Sequence, residues 1–295
     1  MAETPDAFHT HRLSNGLQII GQRMPDFESV AISFHIRTGA RDELDPTVAG
    51  ISHFLEHMVF KGTKKRTWQQ LRQAFTRIGA EKNGATSVES TIYWMRVLEE
   101  YLDQAVEILS DMITPRLDER DFEAEKEVII NEIARSEDQP DRYAERRMMH
   151  AYFECHTLGN YVLGTRESIR DLHLEQMREY CCCQYVANNM ILSAVGNFDW
   201  DHLTELAEQY CHEWPCGEAT RVVAPYQPAQ SSYNIIVNTM LKQQHILVAM
   251  PGIGKEDRDY YAAILAKDVL GETHGSRLYW HIRQKGLAQS SRCTL

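Results

Sequence analysis

Nowhere does the chain string together the ~18 apolar residues that a membrane-spanning helix needs. Its first twenty residues, MAETPDAFHTHRLSNGLQII, hold neither a basic stretch leading into an apolar one nor an Arg-rich, acid-poor presequence. The expectation is a chain that neither crosses nor sits on a membrane, with the cytoplasm as its address. Paired cysteine is missing as well. The seven cysteines are odd in number, three are adjacent (Cys181, Cys182 and Cys183), and no two have CxxC spacing. This excludes a disulfide framework and a CxxC metal pair, and leaves free thiols in a reducing compartment. Positive charge is scarce too. A formal net charge of −11 argues against binding a nucleic-acid backbone and favours cationic partners, such as basic peptides.

What is present can build real cores. With 295 residues, 43% of them apolar, there is material for one large domain or two ordinary ones. NGLQIIGQR and ESVAISFHIRTG read as strands, and helices are expected at about 48–61 and 67–78. Residues 81–98 alternate and are rich in β-branched and aromatic side chains, so two strands should meet near Ser87. Helices at about 99–113 and 118–138 run up to the Gln139-Pro140 break. After another helical stretch come a strand, NMILSAVG, and a helix from Asp201 to about Cys211. This grouping predicts an α+β fold, an antiparallel sheet packed with helices.

Residues 213–231 carry three prolines and little periodicity, and read as a linker. Beyond it, YNIIVNTM and QQHILVAM look like strands, followed by helices at about 257–270 and 276–284. Two strands and then two helices repeat the order of residues 15–79, without a histidine pair. The expected organisation is a domain over 1–212, a linker over 213–231, and a second repeat over 232–295 that is incomplete. Such a remnant would need a homodimer or a partner chain to complete its second half.

The chemistry concentrates in Gly50–Thr63, GISHFLEHMVFKGT. On a helix, with His53 at zero, Glu56 falls near roughly −60° and His57 near roughly +40°, while Ile51, Phe54, Leu55, Met58 and Val59 gather on the other side. Histidines at i and i+4 on one face have the spacing that a tetrahedral zinc ion needs, and the intervening glutamate is free to hold a water. The order H-x-x-E-H is a known inverted zinc-helix signature. A solvated polar helix face is the competing reading of the same residues. The lysines and arginine that follow, Lys61, Lys64, Lys65 and Arg66, read as a solvated helix end.

A catalytic zinc ion takes a third protein ligand and keeps one position open. In DERDFEAEKEVIINEIARSED, with Glu125 at zero, Glu132 falls near roughly −20°, among Phe122, Val128, Ile129 and Ile133. Two carboxylates therefore stand in an apolar stripe, where unpaired charge costs several kcal/mol. A zinc ion held by His53 and His57 would compensate them. An ion pair with Arg135, or a helix more exposed than its pattern, would do so as well.

These stretches, together with LSNGLQII, HIRTGARDE, IGAEKNGATSVESTIYW, HTLGNYVLGTRESI and YVANNMILSAVGNF, resemble the pitrilysin, insulysin and mitochondrial processing peptidase family of inverzincin metallopeptidases, across essentially the whole chain. The resemblance implies one Zn2+ per chain, with His53, His57 and Glu132 as ligands and Glu125 as a supporting acid. It also implies hydrolysis of peptides or unfolded segments, with Glu56 as general base. The peptide would lie extended along an edge strand, on Asn83, Gly84 and Ala85. Gly84 departs from the family's usual alanine. In the second repeat, Arg283 matches a substrate-binding arginine, whereas Gln289 stands where the family has a tyrosine. Two other functions compete: a non-catalytic companion subunit, and a small-molecule lyase with the same histidine helix but a cysteine as third ligand.

Overall fold

Alternation of apolar and polar side chains builds the central layer. In Ser29–Ile36, every second residue from Val30 to Ile36 is buried, and in Thr91–Leu98 the buried set is Thr91, Tyr93, Met95 and Val97. The computed structural model describes residues 8–154, 156–218, 221, 231–272 and 274–295. The chain divides into two units, 1–247 and 248–295.

In the first unit the order is β1 (His9–Arg12), β2 (Gln18–Arg23), β3 (Ser29–Ile36), α1 (Ile51–Val59), α2 (Trp68–Arg77), β4 (Glu81–Thr86), β5 (Thr91–Leu98), α3 (Leu102–Met112), α4 (Glu119–Glu137), α5 (Pro140–Phe153), α6 (Arg166–Asp171), α7 (Leu174–Gln184), β6 (Met190–Gly196) and α8 (Trp200–Cys211). The six strands form one sheet in the order β1-β2-β6-β3-β5-β4, so β4 is an edge. Pairing is antiparallel, as expected, except between β2 and β6, which run parallel. The late strand β6 enters between two early ones, a position that local sequence patterning does not encode. β1 was not foreseen either: its four residues, HTHR, offer no apolar alternation and none of them is fully buried.

Register places Phe34 opposite both Tyr93 and Leu192, which lays a continuous apolar row across the three central strands. Helices cover this face. α3 packs on β3 and β5, and α1 packs on β4 and β5. α1 is fastened to α4 by the stacked rings of Phe54 and Phe122, whose centroids are 4.6 Å apart with planes 4° from parallel. Both rings are 0% exposed. Because Phe54 directly follows His53 and Phe122 lies one turn before Glu125, this contact sets the two functional helices against each other. We expect Phe54→Ala to lower the stability of the first unit by about 3–5 kcal/mol, the usual cost of deleting a buried ring, read as a fall in the urea midpoint.

The second unit holds α9 (Tyr260–Gly271) and a short π-helical turn at Tyr279–Arg283. At the end of the first unit and the start of the second, the two strands expected at 233–240 and 243–250 do not form: both stretches lie without regular structure and are exposed throughout. A strand needs a neighbour for its N–H and C=O groups, and among the described residues no strand pairs with either segment. Their β-type composition leaves Tyr233, Ile235, Val237, Ile246 and Val248 open. Of the expected linker, residues 219, 220 and 222–230 lie outside the described residues. Arg221 is anchored, its guanidinium on Asp42 at 3.0 and 2.8 Å. Among the described residues no helix is long and apolar enough to cross a membrane.

Candidate metal centre

α1 carries His53 and His57 one turn apart, with ring centroids 4.6 Å from each other. α4 crosses so that Oε2 of Glu132 lies 3.8 Å from Nε2 of His53 and 3.7 Å from Nε2 of His57. Around a zinc ion with ligand bonds of ~2.0–2.1 Å, tetrahedral neighbours stand about 3.3 Å apart. The observed separations are a few tenths of an ångström wider, and the donor set of two imidazoles and one carboxylate suits zinc. These three residues are the one His/Cys/Asp/Glu group of this kind among the described residues, and no cysteine joins it.

Each ring is prepared for a ligand's role. Burial, then the charge of His57, lowers the pKa of His53 to about 3, so His53 is a neutral imidazole. Its Nδ1 is buried and has no hydrogen-bond partner among the described residues. His57 is held differently. Its Nδ1 lies 2.8 Å from Oε1 of Glu125, and the other oxygen of Glu125 is ion-paired with Lys61. Burial opposes charge on both partners. It is outweighed, so that the pKa of Glu125 is lowered by His57 and Lys61 while that of His57 is raised by its carboxylate neighbours. An ionised Glu125 accepts a hydrogen bond from the Nδ1–H of His57, which in the neutral ring is the tautomer that presents Nε2 on the side of Glu132.

Glu56 lies on the same helix, half-buried against β4. The Thr86 hydroxyl donates to its Oε2 at 2.9 Å. Burial raises its pKa, and the Thr86 bond partly offsets that. A methyl group at Gly84 would stand 2.8 Å from Oε1 of Glu56 and 3.0 Å from the Phe60 ring. Gly84 and Thr86 thus form the face of β4 that supports Glu56, whereas Asn83 and Ala85 are exposed on the opposite face of this edge strand. Arg283 is in the second unit, exposed, with its guanidinium 5.8 Å from the centroid of the Tyr279 ring.

Two expectations need correction, and one alternative is set aside. Glu132 was expected in a buried stripe beside Glu125, yet its side chain is 40% exposed against 6% for Glu125. A helical wheel discards distance along the axis, and seven residues advance about 10 Å, from the packed Phe122 contact to the open side of the histidine pair. The alternative partner Arg135 is exposed and, among the described residues, pairs with neither acid; the cation on Glu125 is Lys61. Lys61 and Arg66 are accordingly not merely a solvated helix end. Arg66 bonds Glu107 and Asp111, each at 2.6 Å. The signal for Lys61 was in the sequence, since it stands four residues after His57 and so on its face.

A family model described as insulinase (peptidase family M16) matches residues 19–166, and one described as the peptidase M16 inactive domain matches 171–294. The uncharacterized zinc protease YmxG of Bacillus subtilis is 32% identical over 278 residues, covering 94% of this chain and 67% of its own length. The β subunit of the mitochondrial-processing peptidase of Neurospora crassa is 30% identical, covering 95% of this chain and 62% of its own. The chain therefore spans about two thirds of the length of such relatives. Among solved structures, a protease from Helicobacter pylori superposes with a TM-score of 0.82 at 21% identity, over 96% of this chain and 70% of the other, a likeness of fold.

Proposed function

This chain belongs to peptidase family M16, the insulinase family, and from that premise we propose that it is a zinc metalloendopeptidase acting on peptides or unfolded segments. The observation that carries the reading is the convergence of His53, His57 and Glu132, with Glu56 one position before the second histidine. His53, His57 and Glu132 would hold one Zn2+ ion. Once bound, the ion would polarise the scissile carbonyl and acidify a water.

The remaining steps belong to the protein's own side chains. Glu56 takes the proton of the attacking water on a carboxylate oxygen and delivers it to the leaving amine. Burial raises its pKa above the ordinary carboxylate value, which favours uptake of the proton that it then returns. Thr86 fixes the carboxylate from one side and the bare backbone of Gly84 admits it from the other. Glu125 holds the His57 ring in the tautomer that presents Nε2. On β4, Asn83, Gly84 and Ala85 would take an extended peptide by main-chain hydrogen bonds along the sheet edge, and a basic peptide accords with the charge of −11. Arg283 would contribute to substrate binding from the second unit. A second copy of the chain, or a partner chain, would supply strand partners for the exposed apolar stretch at 233–250.

The direct test is a zinc-dependent assay on a fluorogenic basic peptide, with chelator as control; turnover that survives chelation and complete zinc removal contradicts the reading. Within it, Thr86→Val is nearly isosteric and removes only the donor on Glu56. A hydrogen bond to a charged group is worth about 1.5 kcal/mol or more, so kcat should fall about tenfold while KM stays near its wild-type value. An unchanged kcat would mean that Thr86 does not hold the base.

A further inference from the structure

α1 starts without a cap of its own. Its N-cap is Gly50, at φ 91°, with no side-chain hydrogen bond to the first turn. No capping side chain could stand there, since a Cβ would lie 2.7 Å from the Leu163 carbonyl oxygen and 3.0 Å from Cα of Gly164. The leading N–H groups of a helix nonetheless need acceptors.

They find one seven residues upstream. Oε2 of Glu43 receives the Gly50 N–H at 2.7 Å; Oε1 receives the Ser52 N–H at 2.9 Å and the Ser52 hydroxyl at 2.7 Å. The Ser52 hydroxyl also meets that of Tyr180 at 2.7 Å, and Tyr180 meets the hydroxyl of Thr38 at 2.7 Å. Ser52 has one hydroxyl proton, and with Glu43 ionised it goes to that carboxylate. Tyr180 must then donate to Ser52, and Thr38 to Tyr180, so the whole chain of hydroxyls points at the carboxylate. The neighbouring acid, Asp42, is held by Arg221.

Glu43 is only 3% exposed. Burial pushes its pKa up to about 7, against the lowering effect of its three hydrogen bonds. A carboxylate in such surroundings is costly, and nothing in the hydrolytic steps uses it. Its placement gives the reason for its presence: the residue after Ser52 is His53, and the next turn holds Glu56 and His57.

We propose that Glu43, acting through Ser52 and Tyr180, is the positioning group of the metal helix, fixing its first turn so that His53 meets the ion at the depth set by Glu132. The proposal rests on the zinc reading of His53, His57 and Glu132. In Glu43→Gln one of the two acceptor oxygens becomes an NH2 group that faces an N–H; in Ser52→Ala the hydroxyl link is cut.

Zinc affinity of the whole chain, measured by competition with a chelator, distinguishes positioning from bulk stability. Groups that orient a metal ligand typically change affinity by about 10–100-fold. Glu43→Gln should weaken zinc binding about tenfold and Ser52→Ala by a smaller factor, with faster hydrogen exchange at the Gly50 and Ser52 amides in the metal-free protein. Leu206→Ala, a core truncation on α8, should lower the melting temperature and leave affinity untouched. Wild-type affinity in Glu43→Gln, or in Ser52→Ala should the first variant not fold, overturns the positioning role alone. A wild-type chain that takes up no zinc overturns the metal reading, and the clamp with it.

Discussion

Glu56→Gln should abolish peptide hydrolysis while leaving zinc content unchanged. The side chain keeps its size, and its carbonyl oxygen can still accept from Thr86, whose hydroxyl lies 2.9 Å from Oε2 in the native protein. What is lost is a site that can take up a proton. Positioned general acid–base groups contribute about 10²–10⁴-fold in rate, and here one carboxylate would serve as base toward water and as acid toward the leaving amine, so the loss should lie at the upper end of that range. Glu56 is not among the three converging ligand groups, which is why metal content should hold. Two measurements on one preparation decide the matter: metal analysis after gel filtration, and turnover of a fluorogenic basic peptide. Full turnover by a pure preparation of the variant would remove Glu56 from the role of base and require another proton acceptor near His57.

Much of this centre is legible in the sequence, for reasons particular to its residues. His53 and His57 share a face because four residues make little more than one turn, and the apolar set at Ile51, Phe54, Leu55 and Met58 is buried opposite them. The pair Glu125 and Glu132 could be singled out because carboxylates in an apolar stripe need compensation. The structure divides their compensation, with Lys61 on the buried acid and the two imidazoles beside the open one. The groups that escaped attention reach their partners through space. Glu43 caps a helix whose first residue, Ile51, stands eight positions later, across an intervening 3₁₀ turn at Pro46–Val48. Thr86 meets Glu56 across thirty residues because β4 returns alongside α1. Local periodicity cannot report either contact. The strands expected at 233–240 and 243–250 fail for a related reason: alternation states that a segment could line a sheet, and the sheet itself must come from elsewhere in the chain or from another chain.

The other large effect is expected from Glu132→Ala, which removes one of the three groups about the candidate ion and leaves two imidazoles. Neighbours that merely orient a ligand change affinity by about 10–100-fold, so deletion of a ligand should exceed roughly 100-fold and leave the protein metal-free after dialysis against a weak chelator. The fold should tolerate the change, because the Glu132 side chain is 40% exposed, it accepts no hydrogen bond from the backbone among the described residues, and alanine is a good helix former. The melting temperature of the metal-free variant should therefore match that of the metal-free wild type, whereas added zinc should raise only that of the wild type. That contrast separates ligand loss from misfolding within a single pair of melting curves. Zinc content unchanged in Glu132→Ala would transfer the third position to a cysteine or a further histidine and reopen the lyase-like alternative. It would also leave unexplained why two imidazole nitrogens, one neutral through burial and one oriented by Glu125, both lie within 4 Å of the same carboxylate oxygen.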